Sequence, residues 1–377
     1  MTFRKLEHIL NTQQRKDGRM NRKSRKFIVI AITLAIFLIP LCQGVAAKEK
    51  IKVAACVSWP GYSFYELVRA KNIAPDYDIE VSIMEDPLGG HAMLAAGQLD
   101  IYVCTLDYIS FTIESDLPVT NVAYTNPSYG VDQITLAPGI EPQNLKGKKI
   151  SAPQAYIGHL MMGLWLDKHG ITPKEVNWVN LNADEAVGPM LSGDISAAYM
   201  YEPWVSKLSS SMPGTKSVAD TSEPYFLERG MFGDAIYMNK NFIKNRPKAA
   251  LDMLRARWDA VGYWHNQTDE ANKFFAKYLD WPVEDIESVM GKNGKFFLGG
   301  IYMFDFDESA RFCGVLDGDP GLGQKHGGFL DTVKTTNEWW VKLGILQKVH
   351  DPAKGVDCSL MQNLLKEGYR QSFEARK

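Results

Sequence analysis

"GGHAMLAAGQLDIYVCT", Gly89 to Thr105, and "DEAVGPMLSGDISAAYMYEP", Asp184 to Pro203, share one grammar. Each carries apolar residues at helical spacing, stops at a glycine, passes an acidic residue and enters a run rich in Val, Ile, Tyr or Ala. Other short β-rich runs surround them: KIKVAACV (Lys50 to Val57), DIEVSIM (Asp78 to Met84), VTNVAYT (Val119 to Thr125), QITLA (Gln133 to Ala137), KKISA (Lys148 to Ala152) and EVNWVNL (Glu175 to Leu181). Helical patterns such as SFYELVRAKN and IGHLMMGLWLDKHG lie between them. Strand and helix in alternation imply sheets with parallel strands and crossover helices, an α/β fold. After about Phe242 the pattern turns to long helices, and a last helical pair, FLDTVKTTNEWWVKLG and CSLMQNLLKEGYRQSF, closes the chain. The segment Asp317 to Gly328 reads as a loop; its Gly-Leu-Gly lacks the preceding strand and following helix start that a phosphate cradle needs.

Residues 1–47 read differently. They hold nine Lys or Arg against two acidic residues, and RKSRK (Arg22 to Lys26) abuts the uncharged run FIVIAITLAIFLIPLC (Phe27 to Cys42), followed by the small residues Val45-Ala46-Ala47. That order is the order of a secretory signal peptide, so the expectation is export to the periplasm, with Met20 as a second possible start. The alternative is an uncleaved membrane anchor, for which sixteen apolar residues are short. The remaining 330 residues carry 33 basic and 42 acidic side chains, a formal charge of −9. Such a surface repels phosphate backbones and excludes nucleic acid as a partner. Four cysteines follow the leader, Cys56, Cys104, Cys313 and Cys358; spacing leaves three pairings open, and free buried thiols are an equal alternative. No Cys-x-x-Cys occurs, and neither a metal nor another cofactor is expected.

In open α/β sheets ligands bind beyond the carboxyl ends of strands. The residues there are aromatic and polar: Trp59 and Tyr62, then Thr105 and Asp107, then Asn126, Ser128 and Tyr129, then Gln154, Tyr156 and His159, and last Tyr201, Glu202 and Trp204. Any one of these has a structural reading, as a core plug or a helix cap; together they nominate a binding site. No Lys or Arg falls in Val57 to Tyr62, Thr105 to Ser110, Asn126 to Asp132 or Pro153 to Leu160, so an anion would rely on backbone N–H groups at helix starts. A carboxylate among aromatic rings, as expected for Glu202, suits an ammonium group.

The succession WPGY, AAGQLD, NPSYGVDQITLAPG, LKGKKISAP with GHL after it, and SGDISAAYMYEPW resembles the solute-binding proteins of nitrate, sulfonate and taurine importers of the ATP-binding-cassette type, over about Lys50 to Asn245. The resemblance implies a bilobed periplasmic-binding-protein fold of type II, its lobes joined by two crossover strands near Leu136 and Gly233. It further implies a monomer that delivers a small-molecule ligand to a membrane permease and its ATPase. The expected organisation is residues 48–137 and 234–300 in the first lobe, 138–233 in the second, and a helical extension over 301–377. In that family the positions of Trp59, Tyr62, Ser128, Gln154, His159, Glu202 and Trp204 lie on the cleft side. Taurine is the leading ligand, its sulfonate at the helix start near Tyr156 to His159 and its ammonium facing Glu202. The rivals are a heteroaromatic thiamine precursor stacked on Trp59 or Trp204 and, more weakly, nitrate. A ligand sensor would need the same cleft. Catalysis is not expected: a pyrimidine-forming enzyme of the same fold carries a CCCFC run, and this chain has neither that run nor GxSxG or HExxH.

Overall fold

The computed structural model describes residues 48–373, and the leader expected over residues 1–47 lies outside them. The described chain from Glu49 onward holds two sheets. Its strands, in chain order, are β1 (Glu49–Ala55), β2 (Tyr77–Ile83), β3 (Ile101–Thr105), β4 (Val119–Tyr129), β5 (Asp132–Leu136), β6 (Lys149–Ser151), β7 (Asn177–Val179), β8 (Ala197–Tyr201), β9 (Lys216–Asp220), β10 (Gly233–Asn239) and β11 (Gly300–Ile301). The larger sheet has the order β11-β4-β10-β3-β1-β2 and the smaller β7-β6-β8-β5-β9.

Both sheets are mixed. β1 is parallel to β2 and β3, and β6 is parallel to β7 and β8. β10 runs antiparallel to β3 and β4, and β5 antiparallel to β8 and β9. Two of the antiparallel members, β5 and β10, are the strands that follow a passage between sheets, and the short β11 adds a third against β4. The chain leaves the larger sheet after Tyr129, enters the smaller at Asp132, and comes back from Asp220 to Gly233. Leu136, where a crossing was expected, sits inside the smaller sheet opposite Ala197 and Lys216.

The two stretches quoted first fold alike. Helix Pro87–Ala95, capped by Asp86 whose side chain accepts from the Gly89 N–H at 3.0 Å, turns through Gly97 into β3. Helix Ala183–Ser192 turns through Gly193 into β8. Gly97 and Gly193 have φ of 71° and 76°, a left-handed geometry that ends a helix at no steric cost only without a Cβ. β3 is buried along its whole length, and β8 up to its last residue, as strands covered on both faces must be.

The cysteines form two bridges. Cys56 and Cys104 join the neighbouring strands β1 and β3, with Cα atoms 5.2 Å apart, and Cys313 joins Cys358 across 6.0 Å. The second bridge ties the end of helix Phe306–Phe312 to the start of helix Ser359–Lys366, whose Leu360, Met361 and Leu364 enter the core of the larger sheet. Between them, helix Gly328–Lys342 reaches both layers. Phe329 and Val333 belong to the larger core, and Trp340 belongs to the core of the smaller sheet while lying 5.5 Å from the Phe111 ring. Lys342 pairs with Asp167 at 2.6 Å.

Candidate functional site

The carboxyl ends of β1, β3, β4, β6 and β8 and the starts of β5 and β10 come together at one cavity of about 50 Å³ between the sheets. At about 10–15 Å³ for each water-sized position, that is room for roughly four such positions. A wider cleft of about 440 Å³ shares Val57, Ser58, Tyr156 and Tyr201 with it and continues to Glu85, Gln154, Asp184, Trp204 and Trp281.

After β1, Trp59 is extended and Pro60 opens a single 3-10 turn, Pro60–Tyr62, closed by the Tyr62 N–H on the Trp59 carbonyl at 3.1 Å. Proline's fixed φ presets that turn. It brings Trp59 edge-on to Tyr201 of the other sheet at 5.8 Å and to Trp281 at 6.5 Å. It also aims the Tyr62 hydroxyl at Asp234, to which it donates at 2.9 Å. The Asn126 amide donates to the other Asp234 oxygen, also at 2.9 Å. Asp132, the first residue of β5, accepts from the Tyr199 hydroxyl. Ser128 shares a short hydrogen bond with Thr221.

Two buried carboxylates therefore face a cavity lined by five aromatic side chains and by no Lys, Arg or His. Burial drives the Asp234 carboxyl up to about 7 against the pull of Asn126 and Tyr62, and burial likewise raises Asp132 against Ser128 and Tyr199. Thr105, on the cavity wall, has a buried hydroxyl without a hydrogen-bond partner. Beside it Asp107 is wholly buried, and neither of its oxygens is in hydrogen-bonding geometry with a partner. Its carboxyl is pushed by burial up to about 7, with the nearby Thr105 hydroxyl opposing the shift. The buried cation whose field reaches Asp234 is Arg257, which lies between the Phe64 and Trp258 rings and does not line the cavity. Among the described residues, no group of three or more His, Cys, Asp or Glu is placed to hold a metal ion.

Of the residues expected from sequence, Trp59, Tyr62, Thr105, Asn126, Ser128, Tyr156 and Tyr201 line the inner cavity, and Gln154 and Trp204 line the outer cleft. Tyr129 packs edge-on against Phe296 and Tyr302 at 5.9 and 6.0 Å. His159 sits 4.6 Å from the Trp178 ring and lines a separate cleft with Gln154. Burial lowers its pKa to about 4, and its Nδ1 accepts from the Ala155 N–H. Glu202 turns to the start of helix Trp204–Ser211, where it accepts from the Ser206 N–H at 3.2 Å and the Ser206 hydroxyl at 3.0 Å. It lines neither the cavity nor the outer cleft. Asp132, Asp234 and Tyr199 were not among the expected residues. The signal for the first two was an aspartate opening an apolar strand, in VDQITL and GDAIYM, which reaches the ligand edge when that strand runs antiparallel to its neighbours.

In fold, the chain is similar to the periplasmic aliphatic sulphonate binding protein SsuA of Escherichia coli, with a TM-score of 0.64 at 13% identity over 84% of this chain and 99% of that one. It is equally similar to the periplasmic nitrate-binding protein NrtA of Synechocystis PCC 6803, with a TM-score of 0.64 at 13% identity over 85% and 89% of the two chains. These likenesses show a periplasmic-binding-protein fold. In sequence, a Brucella abortus (strain 2308) protein named only as a binding protein is 25% identical over 152 residues, 40% of this chain and 47% of that protein. The chain thus spans about half the length of the curated relatives it matches. A family described as NMT1/THI5 like matches residues 75–271, more than half of the chain and both sheets around the cavity, and to that NMT1/THI5-like family the chain belongs.

Proposed function

We propose that this protein is the extracytoplasmic solute-binding component of an ATP-binding-cassette importer, capturing a small organic solute between its two lobes without chemical conversion. The observation that carries the reading is the enclosed cavity, whose wall is assembled from strand ends of both sheets. Sites of this kind, concave, mostly apolar and aromatic, with a few convergent polar groups, are small-molecule sites. The names of the sulfonate- and nitrate-binding proteins of like fold support the transport role. Export by the leader, a monomeric state, and a permease with its ATPase belong to the same proposal. Among the described residues no helix is long and apolar enough to cross a membrane.

Taurine, the leading ligand from sequence, would have to place its ammonium at Asp234 and Asp132 instead of Glu202, and its sulfonate at the start of helix Ile157–Lys168, where Tyr156 and Ile157 line the cavity. A pyrimidine precursor of thiamine is favoured by a different observation, the pairing of ring faces with carboxylates that accept from ring amino or N–H groups. The test is small-angle scattering and calorimetry on residues 48–377 with a solute panel. A saturating solute should bind unchanged and reduce the radius of gyration as the lobes close. Turnover of the solute, or an identical radius under saturation, would remove the reading.

A further inference from the structure

We infer that the solute is an organic cation, an amine or quaternary ammonium without an acidic group, held by Asp234 and Asp132 inside the aromatic wall. The inference rests on the solute-capture reading and names its ligand class. A carboxylate taken out of water is costly unless a charge or several donors compensate it. Asp234 is 5% exposed and Asp132 8%, and the cavity they share contains no basic side chain. Asp234 receives one neutral hydrogen bond on each oxygen, and each carboxylate oxygen can accept two. Both residues line the cavity.

The wall supplies the second half of the argument. Trp59, Tyr62, Tyr156 and Tyr201 line the same space, and aromatic rings attract cations to their faces. The Thr105 hydroxyl is a further polar group on that wall. The chemistry continues outward, since the cleft mouth carries Glu85 and Asp184, again with no Lys or Arg. An anion entering this path meets carboxylates at the mouth and at the end. A cation meets carboxylates at both places and, once bound, replaces the water that two buried carboxylates have given up. The small inner volume suits a compact head group, with the outer cleft taking whatever the head group carries.

Calorimetry with two matched sets decides it. The first set is ethylammonium, taurine and ethanesulfonate, which share a two-carbon unit and differ in charged ends. The second is choline and its neutral isostere 3,3-dimethylbutan-1-ol. Ethylammonium and choline should bind. Ethanesulfonate, nitrate and the neutral alcohol should bind at least tenfold more weakly, and taurine no more tightly than ethylammonium. Asp234→Asn, close in shape, should weaken choline at least tenfold and leave the weak alcohol unchanged, and Asp132→Asn should do the same independently. Taurine binding tenfold more tightly than ethylammonium overturns the assignment in favour of a zwitterion. Compaction of the protein by ethanesulfonate, nitrate or a neutral heterocycle, with cations inert, overturns the cation and leaves solute capture standing. No compaction with any solute overturns both.

Discussion

Lys295, Asp305 and Glu308 form one buried charged cluster, and Asp107, Asp132 and Asp234 form another. In the first, the lysine ammonium lies 2.9 Å from Asp305 and 2.6 Å from Glu308, with the Lys295 and Asp305 side chains 2% and 1% exposed. The Tyr302 hydroxyl donates to Glu308 at 2.8 Å and the Phe373 N–H to Asp305 at 2.8 Å. The second cluster is as deeply buried and has no such cation. Where this fold needs a buried carboxylate only for itself, it brings its own positive charge and fills the remaining lone pairs. Where the charge is left open, at Asp132 and Asp234, a cavity lies beside it.

If that contrast holds, pH should expose it most strongly. Asp234 and Asp107 have folded pKa values raised to about 7 from an ordinary 3.8. Below about pH 4 both are protonated folded or unfolded. Between about 4 and 7 the folded state keeps protons that the unfolded chain releases, so their stabilising contribution is full below about 4 and is lost as pH rises through 7. Each is worth on the order of 4 kcal/mol, three units at about 1.4 kcal/mol each. The groups acting on Asp234 are Tyr62, Asn126, Asp132 and Arg257, and of these Asp132 and Tyr62 are also shifted upward by burial. Urea unfolding of ligand-free wild type and Asp234→Asn across pH 4 to 8 reads the difference, and the variant should gain on the wild type as pH rises. Parallel curves would break the contrast.

The closed cluster makes the complementary prediction. Lys295→Met leaves two buried carboxylates facing each other and should cost about 3 to 5 kcal/mol at pH 7; a loss under 1 kcal/mol would mean the lysine compensates nothing. A smaller effect sharpens the open cluster. Tyr62→Phe removes a donor from Asp234 and should cost about 1 kcal/mol at pH 7.5, where the carboxylate is charged, and less at pH 5. The smallest concerns a carboxylate outside both clusters. Glu202→Gln weakens the cap on helix Trp204–Ser211 by about 0.5 to 1 kcal/mol in thermal unfolding and leaves solute affinity within twofold. A tenfold affinity loss would return Glu202 to the site.

The helix-glycine-acid-strand grammar and the Trp-Pro-Gly-Tyr turn were legible because local chemistry determines them: periodicity, a left-handed glycine and a fixed proline φ. The carboxylates that matter most were not. Asp132 begins its strand and Asp234 is second in its own, and a search of strand ends alone reaches that edge only for the parallel members. Glu202 follows a strand as expected, yet the helix starting two residues later captures it. The bridge between Cys56 and Cys104 depends on β1 and β3 lying side by side, a contact across 48 residues that spacing does not encode.

Helix Gly328–Lys342 bears on how such a molecule could move. Two covalent crossings join the sheets, and by themselves they would let one lobe bend and twist freely about the other. The helix adds a third attachment, with Phe329 and Val333 in one core, Trp340 in the other and Lys342 paired to Asp167. Its ends are secured in turn, since the segment from Cys313 to Cys358 that contains it is a closed loop. Trp340 itself rests 5.5 Å from Phe111 on one side and 6.0 Å from His159 on the other. The tail is thereby a brace between the two cores, and any bending of one sheet against the other has to deform it.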